Sequence, residues 1–320
     1  MSLTSHPRVQ EQGPSARRQC IRRLVHGAAL AAALFSSAPM AWAQRQGLSA
    51  AAQGGAVQAS IAPVQDGGVN DGMNDAVKDG VRALSQRAAA GDARAMAMLA
   101  KMYQGGLGAP ALPQMRAYWL LCAAAAGHPG AMVDLGILYE SGDVLAKSPE
   151  RAMGWYEKAD GFEGFDAPFL MAGLYYRGEG VDRDVAHALV LYKSAARRGS
   201  VPAMTLLGAV HYFGDAARQD FAQARDWLEQ ASFLGDADAQ NLLGALHFEG
   251  RGVAADGVVA RAWWLLSAQG GSAQARDNLS GKAQNLSEAK MQEAASLSRH
   301  LKTQIKAHVN FWKSQGSAGQ

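Results

Sequence analysis

The chain has 320 residues, of which 48% are hydrophobic and 18% are charged, and its formal net charge is +3. The positive charge lies in residues 1–43, where five arginines and one glutamate carry +4, so the remainder of the chain is near −1. Binding to nucleic acid would need lysines and arginines clustered on one face of the folded part. The composition therefore argues against a nucleic-acid-binding protein, and we expect no nucleic-acid partner.

The N-terminus has the three parts of a signal peptide. Its positive region contains Arg17, Arg18, Arg22 and Arg23. A short apolar region follows at residues 24–35, and residues 41–43 read Ala-Trp-Ala. This order predicts an export signal, residues 1–43, that is cleaved between Ala43 and Gln44. We favour a general secretory signal over a twin-arginine signal, and no stretch reaches the ~20 apolar residues of a membrane span.

The predicted destination is the periplasm of a Gram-negative bacterium, with release outside the cell as the alternative. Residues 44–80 are rich in glycine, alanine, glutamine and asparagine and have few large apolar side chains. Such a segment buries too little apolar surface to offset the entropy of ordering, so it is predicted to be a disordered tether. A helix from about Val81 to Ala90 is expected to cap the folded part.

The central part of the chain repeats every 36 residues. One column of alanines shows the period, at Ala95, Ala131, Ala167, Ala203, Ala239 and Ala275. A period of this size is typical of helix pairs that stack on their neighbours to share one core. In each pair, glycines at Gly142, Gly178 and their equivalents are expected to end the first helix.

Other columns predict the second helix of each pair. Side chains suited to capping a helix start recur at Ser148, Asp184, Asp220 and Asp256. A large apolar column is expected to form the buried ridge, and it contains Trp119, Trp155, Leu191, Trp227 and Trp263. Small residues follow one turn later, which lets neighbouring helices approach closely. Glycines such as Gly199 and Gly235 are expected to close each pair.

Residues 167–199 carry a resemblance to a known family. They read Ala-Gly-Leu-Tyr-Tyr-Arg-Gly-Glu-Gly-Val from Ala172, continue through Asp184 and Ala188, and end in Ala-Ala-Arg-Arg-Gly at Gly199. This pattern resembles the Sel-1-like repeat, a relative of the tetratricopeptide repeat. The resemblance implies an all-α, right-handed solenoid over residues 81–284, with five repeats and a half repeat. It also implies an exported bacterial adaptor or scaffold, since secreted members are linked to envelope assembly and to the regulation of membrane sensors.

A long amphipathic helix is predicted at residues 285–313, followed by a disordered tail at residues 314–320. Its apolar positions step by three or four residues, at Met291, Ala294, Leu297, Leu301, Ile305, Val309 and Trp312. Solenoids need a terminal element with a polar outer side, so we interpret this helix as a cap. Its apolar stripe could instead bind a partner or a second copy of the chain.

No pattern predicts catalysis, and we expect a protein that is not an enzyme and holds no cofactor or metal. Ser287 and Lys290 have the spacing of a serine nucleophile and its lysine, but the accompanying motifs are absent and Ser287 suits a helix N-cap. His211 and His247 occupy a column of tyrosines, which favours a packing role. One repeat apart, they would be roughly 10 Å from each other, too far to share a metal.

The relationship to tetratricopeptide arrays implies that first helices line a concave face, which would bind the partner. Applied to this chain, that face collects Lys101, Gln104, Val133, Ile137, Glu140, Phe169, Tyr176, Thr205, Tyr212, Asn241 and Phe248. Tyr176, Tyr212 and Phe248 form an aromatic series at the 36-residue interval. Aromatic side chains are over-represented at binding hot spots, although these could equally pack against the glycine loops that follow them.

The predicted function is a periplasmic interaction scaffold, adaptor or regulator that binds a peptide or protein of the cell envelope on its concave face. Two alternatives stay open, which are an immunity-type inhibitor of a secreted effector and a weak hydrolase of the cell wall. Hydrolysis would require converging acids, bases or nucleophiles. The predicted face contains few charged groups, which favours binding over hydrolysis.

Overall fold

The structure is a computed structural model that describes residues 74–105, 107, 110–162, 166–214, 216–283 and 285–316. The predicted signal peptide, its cleavage site and most of the predicted tether lie outside these residues. All regular elements in the described part are helices, thirteen in total, and no strand occurs there. The prediction of an all-α solenoid of helix pairs is confirmed.

The helices fall into two compact units, which meet in sequence between Arg183 and Asp184. The first unit contains α1 (Asp75–Ala89), α2 (Ala93–Met102), α3 (Pro113–Ala125), α4 (Pro129–Ser141), α5 (Pro149–Asp160) and α6 (Ala167–Arg177). The second unit contains α7 (Val185–Arg197), α8 (Val201–Phe213), α9 (Phe221–Phe233), α10 (Ala237–Glu249), α11 (Gly257–Gln269), α12 (Ala273–Gly281) and α13 (Glu288–Gly316). Even-numbered helices from α2 to α10 are the first helices of the repeats, and odd-numbered helices from α3 to α11 are the second.

The second helices begin at the predicted caps. Ser148, Asp184, Asp220 and Asp256 each lie directly before a helix, and each side chain accepts a hydrogen bond from a backbone amide of the first turn. At Asp220, one carboxylate oxygen accepts from the amides of Ala222 and Gln223, both at 3.0 Å. These bonds satisfy amides that have no partner inside the helix.

The predicted glycines end the helices in the left-handed conformation. Gly142, Gly178, Gly214 and Gly250 follow first helices with φ between +66° and +77°. At Gly214 the amide donates to the carbonyl of Val210 at 2.8 Å, which closes the last turn. Gly199 and Gly235 follow second helices with φ of +94° and +92°. A side chain at any of these positions would strain the backbone.

The buried ridge of the second helices lies one residue later than predicted. Trp119 and Trp263 are buried, but Trp155, Leu191 and Trp227 are only half-buried. The fully enclosed column is Leu120, Tyr156, Tyr192, Leu228 and Trp264, none more than 2% exposed. Because one residue turns a helix by about 100°, this column faces the partner helix and the predicted column lies to its side.

Each ridge side chain in three of the pairs packs against a glycine of the first helix. A Cβ atom on Gly136 would lie 2.3 Å from Cε1 of Tyr156, and one on Gly244 would lie 2.6 Å from Nε1 of Trp264. Gly208 and Leu228 are related in the same way, at 2.5 Å. The glycines therefore allow α4, α8 and α10 to lie directly on the large side chains of α5, α9 and α11.

Helix α1 begins earlier than the sequence indicates. Its first residue is Asp75, whereas the sequence predicts a helix from about Val81 and a tether before it. The side chain of Asn74 caps this start by accepting from the amide of Val77 at 2.9 Å. The helix packs on α2 and buries Ala88 completely. Residues 75–80 are thus the first turns of the helix that covers the first repeat.

Helix α13 packs along α11 and also contacts α9. It starts at Glu288, where the hydroxyl of Ser287 accepts from the amide of Lys290 at 3.4 Å. Within α13, the side chains of Ala294 and Ser298 are buried. It continues to Gly316, three residues past the predicted end. Even this helix lacks an apolar stretch that could cross a bilayer, as do all the other helices in the described part of the chain.

The contact between Gly244 and Trp264 predicts how a side chain added at Gly244 changes the stability of the fold. Gly244→Ala should destabilise the fold by about 1–3 kcal/mol, because the added methyl overlaps the indole of Trp264. Gly154→Ala is the matched control, since Gly154 lies within α5 with open space around its Cβ position and should gain about 0.5–1 kcal/mol of helix propensity. Urea unfolding followed by circular dichroism measures both. Equal midpoints for the two variants would contradict this packing.

Candidate functional site

The predicted partner-binding residues differ widely in exposure. Lys101, Gln104 and Phe248 are exposed. Val133, Ile137, Glu140 and Tyr176 are half-buried. Phe169, Thr205, Tyr212 and Asn241 are buried, with at most 8% of their surface exposed. The larger part of the accessible surface in this set therefore lies in the first unit, on α2 and α4.

We give the name α2–α4 face to five exposed or half-buried residues of α2 and α4, and the charge of Lys101 on α2 reaches Asp134 on α4. The face comprises Met98, Lys101, Val133, Asp134 and Ile137. Met98 and Lys101 are three residues apart on α2, and Asp134 and Ile137 have the same spacing on α4, so each pair shares a side of its helix. Met98 is 57% exposed, which is high for so large an apolar side chain.

Met98 and Asp134 were not among the predicted contact residues. The prediction took three positions from each first helix and applied them to all repeats. Both missed residues lie three positions before predicted ones, Lys101 and Ile137, so helical spacing alone could have added them.

Asp134 carries the negative charge of this face. Its side chain is exposed to water, yet loss of hydration to the surrounding protein raises the pKa of its carboxyl group. The positive charges of Arg116, His128 and Lys101 act in the opposite direction and lower that pKa. The face therefore combines apolar side chains with charges of both signs.

Local capping fixes the two helices that carry the face. Asp92 precedes α2 and accepts from the amides of Arg94 and Ala95 at 2.9 and 3.0 Å. It also accepts from the guanidinium of Arg87 at 2.7 Å, and these bonds hold the pKa of Asp92 below its ordinary value. His128 precedes α4, and its Nδ1 accepts from the amide of Ala131 at 3.1 Å. The face thus stands on helices with fixed starts rather than on loops.

Glu140 is bound within the first unit. Its carboxylate accepts from the hydroxyl of Tyr156 at 2.9 Å and from the guanidinium of Arg177. The side chains of Glu140 and Arg177 are each 12% exposed, and Arg177 also pairs with Glu179 at 3.0 Å. Burial and the nearby Glu140 charge raise the pKa of Tyr156. These contacts tie α4 to α5 and α6, which gives Glu140 a structural role.

Tyr212 is a packing residue in the second unit. Its hydroxyl group donates to Glu249 at 2.7 Å. Its ring meets those of Phe213 and Phe221 edge-on, with centroids 4.9 and 5.9 Å away. Asn241 is also engaged, since its side-chain oxygen accepts from Asn278 at 2.9 Å.

Phe248 and Tyr176 retain more surface than Tyr212. The ring of Phe248 is 5.5 Å from that of Trp264 and 5.8 Å from the ammonium of Lys282, and Phe248 is 39% exposed. Tyr176 is half-buried, and the guanidinium of Arg183 lies 6.0 Å from its ring centroid. The three members of the predicted aromatic series therefore have different surroundings.

Three titratable side chains outside this face, those of His211, His247 and Cys122, are buried or half-buried. His211 is buried and His247 half-buried, and burial lowers the pKa of both imidazoles. Burial also raises the pKa of the Cys122 thiol. Among the described residues, no group of three or more histidines, cysteines or carboxylates is arranged to hold a metal ion.

Comparisons with known proteins identify relatives of the repeat. A model of the Sel1 repeat matches residues 93–128, 129–159, 166–200, 201–236 and 237–272. A solved Sel1 repeat protein from Oxalobacter formigenes is 27% identical, with a TM-score of 0.58, and the match covers 66% of this chain and 89% of that one. The matched ranges begin at the first helices, in agreement with the helix pairs described above.

A second solved structure shows the same fold. It is a protective antigen present in uropathogenic Escherichia coli strains, described as displaying an SLR fold, with 24% identity and a TM-score of 0.58. The match covers 74% of this chain and 52% of the antigen, so this chain spans about half of that protein's length. A comparison with curated protein sequences gave no significant match.

The contacts of Glu140 predict a loss of stability when its charge is removed. Glu140→Gln should cost about 1–3 kcal/mol, because the nearly buried guanidinium of Arg177 loses a charged acceptor. Gln104→Glu is the control, since this exposed position one repeat earlier has no such partner to lose and should change stability by less than about 0.5 kcal/mol. Thermal melts compare the variants with the parent. An unchanged melting temperature for Glu140→Gln would contradict the structural role of Glu140.

Proposed function

Because the chain belongs to the Sel1 repeat family, whose members generally mediate protein–protein interactions, we propose that it is a periplasmic scaffold that binds a protein or peptide partner on the α2–α4 face. The family's fold is typically a non-catalytic scaffold. The proposal adds the compartment and the surface to that general role. Its partner is a protein of the cell envelope.

The exposure of the α2–α4 face is the observation that carries this proposal. Met98 presents a large apolar side chain to water, and Val133 and Ile137 add apolar surface beside it. Exposed apolar surface rimmed by polar groups is a common property of interaction sites. Rigid helices hold these side chains in place, which lowers the entropy lost on binding.

The charges of this face favour a partner with charges of its own. Lys101 can pair with a carboxylate, and Asp134 can pair with a lysine or arginine of the partner. Such pairs set the orientation and choice of partner more than the total affinity. A segment with one apolar side chain between charges of opposite sign fits this arrangement.

The periplasmic part of the proposal rests on the N-terminal sequence. Four arginines, an apolar stretch at residues 24–35 and Ala-Trp-Ala before Gln44 have the order of a cleaved export signal. Export would bring residues 44–320 to a compartment where envelope proteins expose their soluble parts. Phe248, in the second unit, would offer an additional aromatic contact there.

Site-specific photocrosslinking in intact cells tests the surface. A photoreactive residue at position 137 should capture a partner, because Ile137 belongs to the α2–α4 face and keeps part of its surface accessible. The same photoreactive residue placed at position 157 is the matched control, since Glu157 is exposed on α5 of the same repeat but lies outside the α2–α4 face. Asp134→Lys should reduce capture from position 137 at least several-fold, and Asp134→Asn, which adds no cation near Arg116, His128 and Lys101, should reduce it without changing the melt.

The outcomes of this experiment decide whether the α2–α4 face is the surface that binds the partner. Capture of one protein from position 137 and not from 157, weakened by Asp134→Lys, supports the α2–α4 face. Equal capture from both positions, or capture that Asp134→Lys leaves unchanged, contradicts it.

Processing of the N-terminus tests the compartment independently. The protein recovered from the periplasmic fraction should begin at Gln44, because the signal peptidase cleaves after the Ala-Trp-Ala sequence. Intact-mass measurement and N-terminal sequencing give the result directly. Ala43→Leu is expected to slow cleavage, since a bulky residue does not fit the small-residue requirement at that position. An uncleaved protein found in the cytoplasm would contradict the proposed periplasmic location.

A further inference from the structure

The C-terminal helix carries charge of a single sign over most of its length. Glu293 is its last acidic residue, and no aspartate or glutamate occurs from Ala294 to Gly316. The same stretch contains Arg299, Lys302, Lys306 and Lys313, with His300 and His308 between them. Residues 44–320 carry a formal charge of −1 as a whole, of which residues 294–316 contribute +4 and all the others −5, so this helix concentrates positive charge locally.

The cations of α13 are exposed because the apolar side of the helix is the side that is buried. Ala294 and Ser298 are buried, and the half-buried positions continue the same stripe through Leu297, Leu301, Ile305 and Val309. Arg299, Lys302 and Lys306 lie outside this stripe and are exposed. The ammonium of Lys302 donates to the side chain of Gln269 at 2.7 Å, which leaves its charge without a carboxylate in that contact.

Two aromatic side chains protrude at the end of this helix. Phe311 is 61% exposed and Trp312 is 50% exposed. The indole of Trp312 lies beside Gly199, with Cζ3 3.7 Å from the position of a Cβ on that glycine. Gly199 follows α7, whose last turn ends in the exposed side chains of Arg197 and Arg198. The aromatic end of α13 therefore lies beside further cations.

Helix α11, along which α13 packs, contains no aspartate or glutamate, and α9, which α13 also contacts, contains Asp226 and Glu229. Asp226 pairs with Arg225 at 2.6 Å, and the charge of Arg225 also acts on Glu229. Phe233, near the end of α9, has its ring centroid 6.3 Å from that of His308. The acidic residues that come next in the chain are Asp236 and Asp238, at the start of α10. Asp236 accepts from the amide of Ala239 at 2.8 Å, where the positive end of the helix dipole compensates its charge.

We propose that the basic end of α13, with Phe311 and Trp312 at its tip, binds the surface of a bilayer that contains anionic phospholipids. Lysine and arginine side chains near such a surface are each worth about a fivefold increase in binding. Tryptophan and phenylalanine insert at the boundary between headgroups and acyl chains.

An anionic bilayer fits this surface better than an acidic protein does. The cations are spread over residues 299–313 of α13, a stretch that contains no aspartate or glutamate to fix the orientation of a partner. Phe311 and Trp312 keep 61% and 50% of their surface exposed, which leaves them accessible for insertion into a bilayer. This surface is separate from the α2–α4 face, and the inference does not depend on the proposed partner there.

Vesicle co-sedimentation tests this inference, using the protein purified after export from a bacterial host. Vesicles of phosphatidylcholine with phosphatidylglycerol should bind the protein, and vesicles of phosphatidylcholine alone should not. Binding should weaken strongly as salt is raised, because the charges are exposed and the Debye length falls from about 10 Å at 0.1 M to about 3 Å at 1 M. Salt-independent binding, or equal binding to both vesicle types, overturns the proposal.

Paired variants assign the binding to α13. Arg299→Gln with Lys306→Gln should weaken binding to the anionic vesicles about 20-fold, and Phe311→Ser should weaken it further. The control is Arg82→Gln with Lys147→Gln, which removes the same charge from exposed positions of the first unit and should leave binding within about twofold. All of these side chains are exposed, so circular dichroism melts should match the parent.

The variants also distinguish a membrane surface from an acidic protein. Loss of vesicle binding in the α13 variants and not in the control supports the proposal. Equal loss in both pairs would show a net-charge effect and overturn it. Failure of the parent to bind anionic vesicles, with tight binding to poly-glutamate that the α13 variants lose, would assign this surface to an acidic polypeptide instead.

Discussion

In three of the helix pairs, the contact between a large side chain of the second helix and a glycine of the first helix fixes how the two helices pack. Tyr156, Leu228 and Trp264 fill the space that Gly136, Gly208 and Gly244 leave open. Because no Cβ intervenes, the two helices lie at a fixed rotation about their own axes. The side of the first helix that faces away from this contact is fixed at the same time. In the first unit, α4 is such a first helix, and the exposed Asp134 lies about 200° around that helix from Gly136.

The boundaries of the helices were predictable because they depend on local chemistry. A carboxylate or hydroxyl before a helix and a left-handed glycine after it act within a few residues, so their 36-residue recurrence located the helix pairs directly. The buried ridge was not located in this way. Tryptophans recur at Trp155 and Trp227, yet both are half-buried, and the ammonium of Lys158 lies 4.2 Å from the ring centroid of Trp155. Recurrence of a residue type identifies a contact column but does not measure its depth.

The candidate site was predictable only in part, because exposure differs between repeats that share a sequence pattern. Lys101 is exposed and Ile137 half-buried, whereas Ala209 and Ala245 in the same column are buried. Glu140 and Tyr212 also fit the predicted positions, but each is engaged by side chains from neighbouring helices, Arg177 and Glu249 among them. Such contacts cross 37 residues of sequence, which the pattern within one repeat does not contain.

The two proposed binding surfaces differ in the physics of recognition. The α2–α4 face places Lys101 and Asp134 beside apolar side chains, so a partner must match both signs of charge and the apolar surface between them. The end of α13 has cations without carboxylates, and it therefore attracts negative surfaces without fixing their orientation. Salt screens long-range attraction at both surfaces. It leaves the apolar contacts of the α2–α4 face largely intact, whereas α13 depends on its charges to bring Phe311 and Trp312 to a bilayer. Selective binding and general attachment to an envelope surface can thus reside on different helices of one chain.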